Sequence, residues 1–188
     1  MGGNKLLDSR WVLTEKPNAD GSVREKARLV ARGDRQRAGV FSPVVRATTV
    51  RAVLSIAAVL DMELDQMDAV TAFLNAPLEE TLFMRVPDGF EAPPGSVLRL
   101  RKSLYGLKQS PREWNGTLHQ WLLSRGLQQS DVDQCLYFVP GKLWVMFWVD
   151  DFLVMSRDSA RRPRTPSRLP SPRSSRCAIW ALSSSSWG

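Results

Sequence analysis

A chain of 188 residues with 43% apolar composition can bury one core and is short for two independent ones. Its formal charge of +7 is unevenly spread: seven arginines and one acid fall at 157–188, so that tail holds +6 and the body +1, and overall basicity says little about what the body binds. Cys135 and Cys177 stand far apart without a CxxC pair and His119 is the single histidine, which excludes a His/Cys zinc set; the longest apolar run, Leu143 to Val149, is too short to span a bilayer.

No charged start leads into an apolar leader, so an intracellular chain is expected. In chain order, Arg10 to Glu15 and Val23 to Ala31 read as the strands of a hairpin, with Pro17 to Gly21 as turn. Lys26 and Arg28 then share one strand face while Ala27 and Leu29 pack inward. Gly33 to Val40 is loop-like. Thr48 is placed to cap an amphipathic helix with Val50, Val53, Leu54, Ala57 and Ala58 inward, ending near Leu60. Leu64 to Met67 is a short strand ending at Asp68, Ala69 to Leu74 is helix-compatible, and Asn75 to Pro77 is a turn.

Val97 to Leu100 reads as a strand. Ser110, Pro111 and Glu113 have the spacing of a helix start, with Trp114, Leu118, Trp121 and Leu122 as the inner face, Gly126 as the stop and His119 on the surface. Leu143 to Val149 and Phe152 to Met155 are apolar strands separated by Asp150-Asp151, a tight hairpin with both carboxylates at its tip. From Arg161 to Ser186, Arg, Pro and Ser dominate without periodicity, the composition of a disordered tail.

Three acids can carry chemistry: Asp68 at a strand end, and Asp150 and Asp151 on a hairpin that a neighbouring strand can lie beside. Two carboxylates about 4 Å apart repel by about 1 kcal/mol in water and about 4 kcal/mol at an effective dielectric near 20, so a recessed cluster needs a cation. Hard divalent ions suit all-oxygen ligands, and a pair of them supports in-line phosphoryl transfer. The same residues also fit plain structure: Asp-Asp is common turn chemistry, and Asp68 is a possible helix N-cap.

Six blocks, in order, resemble the reverse transcriptase domain of copia-type retrotransposons over nearly all of residues 10–156: Lys26-Ala-Arg-Leu-Val-Ala31, Phe41-Ser-Pro-Val-Val45, Gln66-Met-Asp-Ala-Val-Thr-Ala-Phe-Leu-Asn75, Ser103-Leu-Tyr-Gly-Leu-Lys-Gln-Ser-Pro-Arg-Glu-Trp114, Asp133-Gln-Cys-Leu-Tyr137 and Val149-Asp-Asp151. The resemblance implies an α+β right-hand polymerase fragment with an antiparallel palm sheet: fingers at about 1–61 and 76–112, palm at about 62–75 and 113–156, and the tail at 157–188. It implies Asp68, Asp150 and Asp151 as ligands of two Mg²⁺ or Mn²⁺ ions, with deoxynucleoside triphosphates and a primed RNA or DNA template as partners. Lys26 and Arg28 are implied at the triphosphate, Phe73 beneath the incoming sugar, and Tyr105, Gly106, Lys108 and Gln109 near the templating base pair.

Such a domain is expected in the cytoplasm, in virus-like particles, or in the nucleus. Asp34 stands where the family usually has an aromatic, and the stretch before Phe41 is shorter than the family pattern. After Met155 that pattern stops and the tail resembles translation in another reading frame, so the 188 residues alone are expected to show little polymerase activity. A binding remnant that uses the Arg-rich tail, or a decayed reading frame, fits the sequence as well.

Overall fold

The structure, a computed structural model, describes residues 6–18, 20–36 and 41–157; the tail expected to be disordered and residues 37–40 of the expected loop lie outside the described residues. The fold is α+β. Strands β1 (Ser9–Pro17), β2 (Val23–Ala31), β3 (Glu63–Asp68), β4 (Pro77–Arg85), β5 (Val97–Lys102), β6 (Gln128–Gln129), β7 (Leu136–Val139), β8 (Leu143–Trp148) and β9 (Asp151–Ser156) accompany helices α1 (Ala47–Val59) and α2 (Ser110–Ser124). All strand pairs are antiparallel. The described residues form two compact units, one made of those up to Ser42 together with Phe73–Thr117, the other of Pro43–Ala72 together with those from Leu118 to Arg157.

The first unit holds two hairpins. β1 and β2 pair without a register shift from Ser9↔Ala31 to Pro17↔Val23. Their turn is tied by Asp20, whose Oδ1 accepts from the Ser22 backbone N–H (2.9 Å) and hydroxyl (2.6 Å), local bonding that favours an Asx-type turn. β4 pairs β5 with a register shift between Pro77 and Leu82. Leu7 bridges β4 at Met84, and Leu7, Ala31, Leu82, Met84, Leu104 and Leu107 form the core, with Leu29 packed against it. Ala27, expected to pack inward, is exposed.

The second unit is built on a five-stranded sheet of order β3-β9-β8-β7-β6. Its centre is aromatic: Tyr137 stacks on Phe147 at 5.9 Å and Phe147 lies 5.7 Å from Phe152. α1 buries Val53 and Ala57, a stripe narrower than expected, with Leu54 and Ala58 exposed. The run Ala69 to Leu74 does not form an α-helix; Thr71 adopts φ 55° and a 3-10 turn covers only Ala72–Asn75.

Both helix starts differ from expectation. Arg46, not Thr48, is the N-cap residue of α1 and makes no side-chain cap bond; instead Asp133 Oδ2 accepts from the Arg46 N–H at 2.9 Å and Oδ1 from the Cys135 N–H at 2.9 Å. At α2 the Ser110 hydroxyl donates to the Leu104 carbonyl at 2.7 Å, and the Glu113 N–H goes to the Gln109 carbonyl, so Ser110 ties a loop rather than closing a capping box. The end of α2 is as expected: Leu127 N–H returns to Leu122 O and Gly126 N–H to Leu123 O, a Schellman motif with Gly126 at φ 81°. Trp114, Leu118 and Leu122 are buried as expected. His119 is not a free surface residue, because its Nδ1 lies 2.7 Å from the buried Tyr137 hydroxyl.

Burial pushes the Asp133 carboxyl upward, but the N–H donors of Arg46 and Cys135, the Thr49 hydroxyl and the Arg46 charge outweigh it, and the group lies below the usual carboxylate range. A lowered folded value adds stability above the unfolded value of about 3.9 and loses it as pH falls through the folded one. Asp133→Asn is expected to cost about 1–2 kcal/mol at pH 7, with the difference from wild type shrinking toward pH 3. Urea midpoints at both pH values measure this, and an equal gap at both would refute the charged cap.

Candidate active site

β3 pairs with β9 in the register Glu63↔Ser156 to Asp68↔Asp151, and β9 pairs with β8 up to Trp148↔Asp151. Directly opposed residues on antiparallel strands share a face, with Cβ atoms about 4.5–5.5 Å apart. Asp68, Asp151 and Trp148 therefore stand in one row across three strands, and both carboxylates are exposed. Like charges in such a pair repel unless a cation joins them.

The turn differs in detail from expectation. Asp151 is the first residue of β9, and the two-residue connection is Val149-Asp150. Val149 has φ 57°, the left-handed region that a β-branched residue rarely enters. The Ala69 N–H donates to the Asp150 carbonyl at 2.7 Å and fixes this turn to the chain just beyond Asp68. Asp68, Asp150 and Asp151 are thus brought to one end of one sheet. Their carboxylates offer oxygen donors, the type hard divalent ions take, but among the described residues no three acidic, His or Cys side chains close into an ion-holding group.

Lys26, Arg28, Phe73, Tyr105, Gly106, Lys108 and Gln109 all belong to the first unit. Lys26 and Arg28 are half-buried on one face of β2. The Tyr105-to-Gln109 loop crosses the end of that strand: Ala31 N–H donates to Tyr105 O at 2.8 Å and Gly33 N–H to Gly106 O at 3.2 Å. A Cβ on Gly106 would meet the Ala31 carbonyl oxygen at 2.1 Å, and Gly106 has φ 88°, so glycine is required there on two counts. Lys108 gives its backbone N–H to Gln36 Oε1 at 3.0 Å and its ammonium to the Gln36 carbonyl.

Gln109 is 3% exposed, donates from Nε2 to Glu80 at 3.2 Å and leaves its buried Oε1 without a partner among the described residues. Phe73 is buried and makes a T-shaped pair with Tyr105, centroids 4.7 Å apart at 67°. Gln36 and Gly33, which hold this loop, were not singled out from the sequence; only the crossing of two distant segments reveals them.

Over residues 2–162 the chain matches the family described as reverse transcriptase (RNA-dependent DNA polymerase). The chain belongs to the reverse transcriptase family. It is similar to the retrovirus-related Pol polyprotein from transposon TNT 1-94 of Nicotiana tabacum, 40% identical over 168 residues, covering 83% of this chain and 13% of the relative. It is also similar to the retrovirus-related Pol polyproteins from transposons RE1 (40% over 164 residues, 81% of this chain and 11% of the relative) and RE2 (39% over 175 residues, 87% and 12%) of Arabidopsis thaliana. The chain thus spans about an eighth of the length of the curated relatives it matches. No solved structure matches it. Among the described residues, no helix is long and apolar enough to cross a membrane.

The crossing of the two loops yields a stability test for this reverse transcriptase chain. Gly106→Ala is expected to cost more than about 2 kcal/mol, because a methyl there collides with backbone that cannot yield as a side chain does. Gly126→Ala meets nothing within 4 Å, so its expected cost is the left-handed strain alone, about 1–2 kcal/mol. Thermal unfolding followed by circular dichroism ranks the two, and equal losses would show that the crossing is loose.

Proposed function

We propose that this chain is a fingers-and-palm segment of an RNA-directed DNA polymerase, with the five-stranded sheet as palm and the β1–β2 hairpin among the fingers. One observation carries the reading: β3 lies beside β9 in a register that sets Asp68 opposite Asp151, next to the Val149-Asp150 turn. Asp68, Asp150 and Asp151 would hold two Mg²⁺ or Mn²⁺ ions. Bound there, the ions supply charge neutralisation for in-line attack of a primer 3′-hydroxyl on a nucleotide. The chain's own part is to fix the carboxylates on strands whose spacing the backbone sets, and to hold the turn through the Ala69 to Asp150 bond.

On the same reading Lys26 and Arg28 meet the triphosphate, and the loop of Tyr105, Gly106, Lys108 and Gln109 lies near the templating base pair. Phe73, backed by Tyr105, limits room at the sugar 2′ position. The partners are deoxynucleoside triphosphates and a primed RNA or DNA template. Holding the primer terminus in line supplies several kcal/mol of the rate. An eighth of a relative's length supplies part of that grip, so the 188 residues alone should bind primer–template and extend it little.

Activity is therefore tested in a chimera carrying residues 10–156 in place of the matching stretch of the tobacco relative. Asp68→Asn and Asp150→Asn are each expected to reduce extension on the order of a thousandfold, with primer–template affinity little changed because the carboxylates act on the transition state. Extension that survives Asp150→Asn would refute the assignment. In the same chimera Phe73→Ala is expected to raise ribonucleotide over deoxyribonucleotide incorporation, and unchanged discrimination would return Phe73 to the core.

A further inference from the structure

Gln109 stands just before α2 with its backbone fixed, because its carbonyl accepts from the Glu113 N–H at 3.0 Å. What the helix leaves open is the side chain, whose amide has a donor end and an acceptor end that two orientations exchange. That side chain is buried, with Nε2 donating to Glu80 Oε2 at 3.2 Å and Oε1 without a partner among the described residues. A carboxylate only accepts. Turning the amide over would set oxygen against oxygen, and the charge on the acceptor strengthens the orientation that is seen.

Glu80 reaches Gln109 through an irregularity of β4. Between Pro77↔Lys102 and Leu82↔Leu100, β4 carries more residues than the single Arg101 across from them, and Glu80 lies in that surplus. A bulge re-aims side chains that a regular ladder would alternate between faces. Glu80 is otherwise exposed, so the buried amide and not its own burial sets where its carboxylate points. A buried acceptor without a donor is costly, and a catalytic or binding role is among the reasons a fold retains one.

We propose that Glu80 is a positioning residue for nucleotide addition: it locks the Gln109 amide so that Oε1, and not Nε2, is what the loop offers to the incoming nucleotide. This rests on the reading that sets the Tyr105-to-Gln109 loop beside the nucleotide. An acceptor there selects for a group that brings a hydrogen, a hydroxyl or amine of sugar or base, and against a phosphate oxygen. Oε1 is covered until such a group displaces its neighbours, so the effect falls on nucleotide affinity and not on the chemical step.

The competing account makes Glu80 one of the acids around Arg112. That guanidinium lies 2.8 Å from Glu113 and 3.9 Å from Glu79, and it draws on Glu80 least of the three. Glu79, next in the chain and exposed, therefore supplies the control. A change there alters the charge near Arg112 at least as much while leaving the amide its acceptor.

In the full chain, the Gln109 side-chain NH2 signals of a nitrogen–proton NMR spectrum are identified by their loss in Gln109→Ala. They are expected to shift in Glu80→Lys and to stay in place in Glu79→Lys. In the chimera, Glu80→Lys puts a donor where an acceptor stood and turns the amide over. It is expected to raise nucleotide KM about tenfold with kcat within about twofold. Glu80→Gln permits both orientations and is expected to raise KM about twofold, and Glu79→Lys to leave it nearly unchanged. In a Gln109→Ala background both Glu80 effects are expected to vanish.

Unmoved NH2 signals in Glu80→Lys would show that the contact is not made, and shifted signals with unchanged KM that it does not position the nucleotide. An equal rise in KM from Glu79→Lys would show a charge effect. Each overturns the proposal. Native KM in Gln109→Ala sinks the loop's assignment and this proposal together. Absence of extension in the unsubstituted chimera counts against the polymerase reading instead, and the NH2 signals still decide whether Glu80 holds the amide.

Discussion

Everything proposed for the catalytic chemistry depends on β3 adding to the edge of the sheet beside β9. Without that pairing Asp68 ends a strand on its own and Asp150-Asp151 is an acidic turn of no special meaning. With it, backbone geometry forces two carboxylates from distant parts of the chain onto one face at a separation the side chains did not choose. The pairing opposes like charges at its last step, so the favourable terms must lie elsewhere in the ladder. They do: Phe152, Val154 and Met155 of β9 are buried, and Phe147 of β8 packs against Phe152.

The parts of this fold legible in the sequence were those written locally. The alternating and continuous apolar runs of β1, β2, β8 and β9, and the Gly126 stop of α2, need only neighbours within a few residues to form. What was not legible depended on partners far along the chain. α1 takes its cap from Asp133, some ninety positions on, so Thr48 was the natural local choice and the wrong one. β4 was missed because it opens with Pro77 and two glutamates and crosses a register shift before its apolar residues begin. Ala69 to Leu74 has helical composition, yet the bond from Ala69 to Asp150 and the left-handed Thr71 commit it to another course.

The candidate site divides along the same line. The three candidate acids were named because the family's motifs surround them, but their arrangement was not legible: Asp151 proved to be a strand residue facing Asp68, and Asp150 a turn residue held through its carbonyl. Strain at Val149 was invisible in the sequence, where valine before two acids reads as the end of a strand. In the first unit, Lys108 and Gln109 are engaged by Gln36 and Glu80, so their first effect is on the shape of the loop that presents Tyr105.

Sheet register is the common device behind the carboxylate site and the Lys26 and Arg28 face of the β1–β2 hairpin. A two-residue repeat means that a single-residue slip would move every side chain to the opposite face. In β3–β9 a slip would separate Asp68 from Asp151; in β1–β2 it would set Glu15 and Glu25 on different sides and part Arg10 and Lys16 of β1 from Arg24, Lys26 and Arg28 of β2. Each register is held by features outside the functional residues: the Asp20–Ser22 turn and the Trp11 bond to the Asp88 carbonyl in one case, the buried residues of β8 and β9 in the other. Charged residues that repel one another cannot choose this alignment by themselves. The apolar and turn residues choose it, and the acids and bases occupy the positions that result.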